Sequence, residues 1–105
     1  GELSLLTSLA LQINTINGKI PSELGRLTNL NNLLLGNNRL SGNVPLEFKN
    51  MTRLSRVFME RNDLTGTVDP IFCTGAFAGV RGFAVAADCA GASPEVICTC
   101  CGFCV

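Results

Sequence analysis

The sequence predicts an α/β-type repeat solenoid with a parallel β-sheet along one side and a cysteine-rich end. Three observations predict it. Apolar positions recur with a strict period of 24 residues: Leu6, Leu30 and Leu54; Leu9, Leu33 and Val57; Leu11, Leu35 and Met59; Ile16, Leu40 and Leu64; Ile20, Val44 and Val68. An asparagine column (Asn14, Asn38, Asn62) and a glycine column (Gly18, Gly42, Gly66) keep the same spacing. All six cysteines follow the regular repeats. A fixed period of this size marks units that bury their apolar edge only against their neighbours.

Each coil position has a physical task. In Leu33-Leu34-Leu35 the period-2 alternation turns Leu33 and Leu35 inward and Leu34 outward, as on a short strand. Successive coils stack these strands into a parallel sheet. Asn14, Asn38 and Asn62 follow the strands, where backbone groups lose their strand partners; an amide side chain both donates and accepts, so this column is a structural ladder. The glycine column suits a turn that needs positive φ. Pro21 and Pro45 fix φ at the start of the convex segment, and Asp69-Pro70 shifts that pattern by one.

The unit reads L-x-x-L-x-L-x-x-N-x-L-x-G-x-[IV]-P and resembles the plant-type leucine-rich repeat over nearly all of residues 1–72. The resemblance implies a short right-handed solenoid with its main sheet on the concave side. It also implies a second, short strand per coil after the glycine.

Upstream, Gly1 and Leu3 stand in register with Gly25 and Leu27, so the chain opens in mid-pattern, as a processed or partial chain would. Downstream, an insertion of two residues brings a fourth coil into view. Phe77, Val80, Phe83, Val85 and Asp88 then match Met51, Leu54, Val57, Met59 and Asn62, each offset by 26. Phe83-Ala84-Val85 is expected to be the last strand, with Phe83 and Val85 beneath Val57 and Met59 and Asp88 continuing the ladder. The expected organisation is about four coils (1–24, 25–48, 49–74 and 75–88), then a cap over 89–105.

Composition excludes several classes of function. Eight basic and eight acidic residues cancel, which removes a general electrostatic case for nucleic acid or an anionic membrane. No apolar run approaches the ~20 residues needed to span a bilayer. Histidine is absent, and with it the commonest general base and every Ser-His or Cys-His pairing. Glycine-rich phosphate loops are missing, and Glu23 and Glu47 are single convex-side carboxylates. No catalytic residue, cofactor or enzyme activity is expected.

Cys73, Cys89, Cys98, Cys100, Cys101 and Cys104 form an even set in a short cap, which reads as a disulfide framework made in an oxidising, extracellular setting. Structural zinc is the weaker alternative, because adjacent cysteines chelate one ion awkwardly. A redox-active Cys101-Gly102-Phe103-Cys104 is weaker still, since no helix follows to lower a thiol pKa. Cys73 closes a convex segment and Cys89 follows a strand, so the two lie too far apart to bridge each other. Each should take a tail cysteine, leaving two tail cysteines to pair. The tail from Ala87 to Cys104 resembles the cysteine-rich C-terminal cap of leucine-rich repeat proteins from diatoms and related algae. It departs from that family at Val105, where the family has a further cysteine. Asn50-Met51-Thr52 is an N-glycosylation sequon on the convex side.

Outward strand residues should line up in rows across the sheet: Ser8, Asn32, Arg56 and Gly82; Ala10, Leu34, Phe58 and Ala84; Gln12, Gly36, Glu60 and Ala86; Ile13, Asn37, Arg61 and Ala87. Leu34 and Phe58 with Asn32, Arg56, Glu60 and Arg61 around them form the candidate binding surface. The N-terminal coil carries the interior apolar pattern without a preceding cap, so Leu6, Leu9, Leu11 and Ile20 form a candidate association edge. The expected function is non-enzymatic, extracellular recognition of a protein partner or of further copies of the chain. Head-to-tail stacking into a fibre or matrix is the alternative. Polysaccharide binding ranks below both, because Trp and Tyr are absent.

Overall fold

The structure, a computed structural model, describes residues 5–92 and 94–105. The register of Gly1 and Leu3 lies outside the described residues. Two parallel sheets run along the stack. One takes the first strand of each coil in the order β1 (Ser8–Ala10), β3 (Asn32–Leu34), β5 (Arg56–Phe58), β7 (Ala84–Ala87) and β9 (Phe103–Cys104). The other takes β2 (Asn17–Lys19), β4 (Arg39–Asn43), β6 (Asp63–Thr67) and β8 (Val96–Ile97). Leu9, Leu33 and Val57 stand in one register row, and Leu33, Leu35, Val57 and Met59 are at most 3% exposed. Burying side chains of this size is worth about 1.5–3 kcal/mol each.

Convex segments close each coil. Pro21 (φ −66°) and Pro45 (φ −61°) lead into 3-10 helices at Ser22–Arg26 and Leu46–Asn50. Coils one and two approach closely here: a Cβ on Gly25 would lie 2.8 Å from the backbone oxygen of Glu47. In coil three a short helix α1 (Asp69–Phe72) replaces that segment, and Gly75–Phe77 forms a further 3-10 turn. Phe72, Phe77 and Phe83 pack together behind it, with Phe77 stacked on Phe83 at 4.7 Å between ring centroids. Among the described residues no helix is long and apolar enough to cross a membrane.

The fourth strand is present, but its register differs from expectation. Val85, not Phe83, lies beside Val57, and Ala86 lies beside Phe58. The offset between coils is therefore 28, not 26. Two residues enter before Phe77. Two more enter in the turn Val80–Phe83, which is closed by the N–H of Phe83 donating to Val80 O at 3.4 Å with Gly82 at φ 80°. That turn leaves Val80 half exposed and swings Phe83 onto Phe77 and Phe72. It also places Asp88 in register with Glu60, so Asp88 does not fill the asparagine column.

Residues of the cap take part in both sheets. Val96–Ile97 pairs with β6, and Phe103–Cys104 pairs with β7. Three disulfides hold these short strands: Cys73–Cys100, Cys89–Cys104 and Cys98–Cys101. Asp69 adds a polar tie, its carboxylate accepting from the Thr99 N–H at 2.8 Å and the Thr99 hydroxyl at 3.0 Å.

Candidate recognition surface

The exposed face of the five-stranded sheet is built by strand alternation. Leu34 and Phe58 stand side by side, half-buried, between inward-facing neighbours. Ala86 continues their row, and Phe103 continues it again from the cap. The rings of Phe58 and Phe103 meet edge to face, 6.5 Å between centroids at 75°. Phe103 remains 58% exposed, so the pair forms a ridge and not a core contact. Edge-to-face pairs of this geometry are favourable beyond the area they bury.

The rows shift with the register. Arg56 lies between Asn32 and Ala84 on the adjoining row, and Gly82 is no part of it. Ala86 replaces Ala84 as the neighbour of Phe58. Asn32 is half-buried, whereas Arg56 and Arg61 are exposed. Glu60 behaves differently from a projecting charge. Its carboxylate folds over Gly36 of the preceding coil, and Oε2 is buried with no hydrogen-bond partner among the described residues. Along the coil the exposed Arg56 and Arg61 thus lie on either side of Phe58, while the carboxylate of Glu60 is drawn down against the sheet.

Phe103 was not among the candidate residues. Sequence offers no signal for it, because its place depends on where the disulfides return the tail.

The asparagine ladder gives the stack its polar spine. Asn38 Nδ2 donates to Leu11 O (2.9 Å) of the preceding coil and to Leu35 O (3.0 Å) of its own. Its Oδ1 accepts from the Ile16 N–H at 3.2 Å. Asn62 repeats the pattern with Leu35 O, Met59 O and the Leu40 N–H. Each buried asparagine reaches back to the preceding coil. At the C-terminal end Asp88 receives the Arg61 N–H at 2.8 Å and the Asn62 N–H at 3.1 Å. In the interior the corresponding amide, Asn37 N–H, donates to the Glu60 carbonyl. Asp88 therefore substitutes for a carbonyl of a next coil.

At the N-terminal edge Leu6, Leu9 and Leu11 are half-buried. Ile20 is only 5% exposed, so it does not belong to an open edge. It turns into the coil, where Ile20, Leu11, Ile16, Leu24, Leu35 and Leu40 line an apolar cavity of about 70 Å³. Asn50 ends the second 3-10 helix and is exposed on the convex side, beside Glu47 and Arg26. All six cysteines are oxidised, and the sulfurs of Cys73, Cys98 and Cys100 lie within 4.8 Å of one another.

The leucine-rich repeat family model matches residues 29–51. No curated protein matches the chain. Among solved structures, the BIR2 ectodomain from Arabidopsis thaliana is 34% identical, with a TM-score of 0.65 over 78% of this chain and 42% of its own. The Arabidopsis receptor kinase HAESA, solved with the peptide hormone IDA and the co-receptor SERK1, is 38% identical. Its TM-score is 0.60 over 62% of this chain and 11% of its own. A plant ice-binding protein is 32% identical, with a TM-score of 0.64 over 79% of this chain and 28% of its own. The chain thus spans less than half the length of each of these structures. With 24-residue coils, an asparagine ladder and these likenesses, the chain is a leucine-rich repeat solenoid of the plant type, ending in a disulfide-rich cap.

Proposed function

We propose that the chain is a non-enzymatic recognition module that works outside the cell and takes a protein or peptide partner on its concave sheet. The observation that carries this reading is the Phe58–Phe103 ridge beside Leu34, with the exposed Arg56 and Arg61 on either side of Phe58 along the coil. Aromatic residues and arginine are the side chains most enriched where binding energy concentrates. HAESA, similar in fold over most of this chain, is solved with a peptide hormone. Three disulfides support an oxidising location. Protein partners are favoured over stacking into a fibre, because two-residue strands and a disulfide staple close the end that would receive a next molecule. The outward residues of the second sheet mix Lys19, Arg39 and Asp63 with Ser41 and Thr65 and do not repeat one small group. The likeness to the ice-binding protein is therefore kept to the fold.

The test is selection of a displayed random-peptide library on the oxidised protein. Enriched peptides should bind the Phe58→Asp variant at least about tenfold more weakly, roughly 1.4 kcal/mol. Peptides that bind that variant equally well, or no enrichment above background, would contradict the reading.

A further inference from the structure

We infer that the cap holds a thiol–disulfide exchange site at Cys73, Cys98, Cys100 and Cys101, which takes two electrons from a dithiol and exposes Cys100 and Cys101 as adjacent thiols. The Sγ atoms of Cys73, Cys98 and Cys100 all lie within 4.8 Å of one another, although Cys98 is bonded to Cys101 and to neither of the other two. A sulfur that close to a second disulfide becomes an attacking group once its own bond opens. Cys98–Cys101 is the bond to open first. Its partners are 3 residues apart, against 15 for Cys89–Cys104 and 27 for Cys73–Cys100. It therefore constrains the unfolded chain least, and by linkage the fold holds it least tightly.

The surroundings keep Cys98 in place when its bond is open. β8 pairs with β6, and the Val68 N–H donates at 2.9 Å to the carbonyl of Ile97, one residue before Cys98. One residue after it, the N–H and hydroxyl of Thr99 donate to the Asp69 carboxylate, which pins residues 98–100 to α1, the helix capped by Cys73. The same carboxylate sets the direction of exchange. Asp69 Oδ1 lies 3.2 Å from Cys73 Sγ, so a thiolate left on Cys73 would face a negative charge. Cys100 is exposed, and water stabilises a thiolate there. A dithiol opens the site: one of its thiolates attacks Cys101 Sγ and releases Cys98 as a thiolate. Its second thiolate displaces Cys101, which takes a proton, and the reductant departs as a cyclic disulfide. The Cys98 thiolate then attacks Cys73 Sγ. The Cys73–Cys98 bond forms, Cys73–Cys100 breaks, and the electron pair leaves on Cys100, which takes a proton from water. Cys73–Cys98 still ties the tail to α1, so the cap accepts two electrons without releasing coil three.

The test treats the oxidised protein with sub-stoichiometric dithiothreitol at about pH 8, where a fraction of thiols ionise. Aliquots are quenched with N-ethylmaleimide at mildly acid pH, and the labelled cysteines are mapped by mass spectrometry. Cys101 should carry label throughout. Its companion label should pass from Cys98 to Cys100 with time, until Cys100 exceeds Cys98 by at least about fivefold. In Asp69→Asn the label on Cys73 should rise at least about threefold, because the charge opposing a Cys73 thiolate is gone. Label that stays on Cys98 and Cys101 would overturn the inference, as would first opening at Cys73–Cys100 or Cys89–Cys104. A Cys73 signal that Asp69→Asn leaves flat counts against it equally. So do thiols that appear only as the circular dichroism of the fold is lost.

Discussion

Asp88 Oδ2 accepts the backbone N–H of Asn62 at 3.1 Å, one coil from the position where Asn62 itself binds the Leu40 N–H at 3.0 Å. The two residues do related work with different chemistry. Asn62 passes hydrogen bonds from coil to coil because an amide both donates and accepts. Asp88 can only accept, so it ends the series.

This difference predicts unequal costs. Asn62→Ala takes the side-chain partner from the Leu40 N–H and the Met59 carbonyl in a buried setting and should cost on the order of 3 kcal/mol. Asp88→Ala frees amides at a more exposed end and should cost about 1 kcal/mol. Urea unfolding midpoints measure both, and equal losses would refute the distinction.

Backbone strain predicts a gain. Ile13, Asn37 and Arg61 share the turn after the strand and all adopt left-handed φ, between 57° and 59°. A β-branched side chain is disfavoured there, whereas asparagine tolerates it. Ile13 is 78% exposed, so Ile13→Asn sacrifices little packing. The substitution should stabilise the fold by about 1 kcal/mol, read as a raised unfolding midpoint; a lowered midpoint counts against the account.

The disulfides should differ in weight according to the loops they close. Cys73–Cys100 spans 27 residues and Cys98–Cys101 spans 3. Replacing the first pair with serine should cost about 3.5 kcal/mol and the second about 2 kcal/mol on the loop-entropy scale. Guanidinium unfolding of the two double variants provides the comparison, and a reversed order would show that native packing in the cap outweighs chain entropy.

Asn50 and Thr52 are both exposed on the convex side, away from the Phe58–Phe103 ridge. Secretion from a glycosylating host should therefore add one glycan, removed by endoglycosidase and absent in Asn50→Gln. Peptide binding should be unchanged between the two forms. A secreted chain with Asn50 unmodified would remove this site from the proposal.

Much of this architecture was legible because coil closure fixes spacing. Leu33, Leu35, Val57 and Met59 could be placed inward by alternation and period alone, and the buried Asn38 and Asn62 by their column. The fourth coil shows where that logic stops. The turn Val80–Phe83 has no counterpart in earlier coils, so a match of five residues at one offset pointed to the right strand in the wrong register. Left-handed φ is suggested by Asn37 but hidden at Ile13 and Arg61, where coil geometry overrides residue preference. Glu60 could not be seen to fold onto Gly36, since only the packed neighbour reveals that space. Phe103 depends on the Cys89–Cys104 bond and on β9 joining β7, a long-range return that no periodic pattern encodes.

The central claim is that recognition occurs on the concave sheet. Hydrogen exchange of the oxidised protein with and without a selected peptide tests it most directly. The account predicts new protection centred on residues 56–61 and 103–105, with the 3-10 helices at Ser22–Arg26 and Leu46–Asn50 unchanged. Protection confined to those helices or to the second sheet would contradict it.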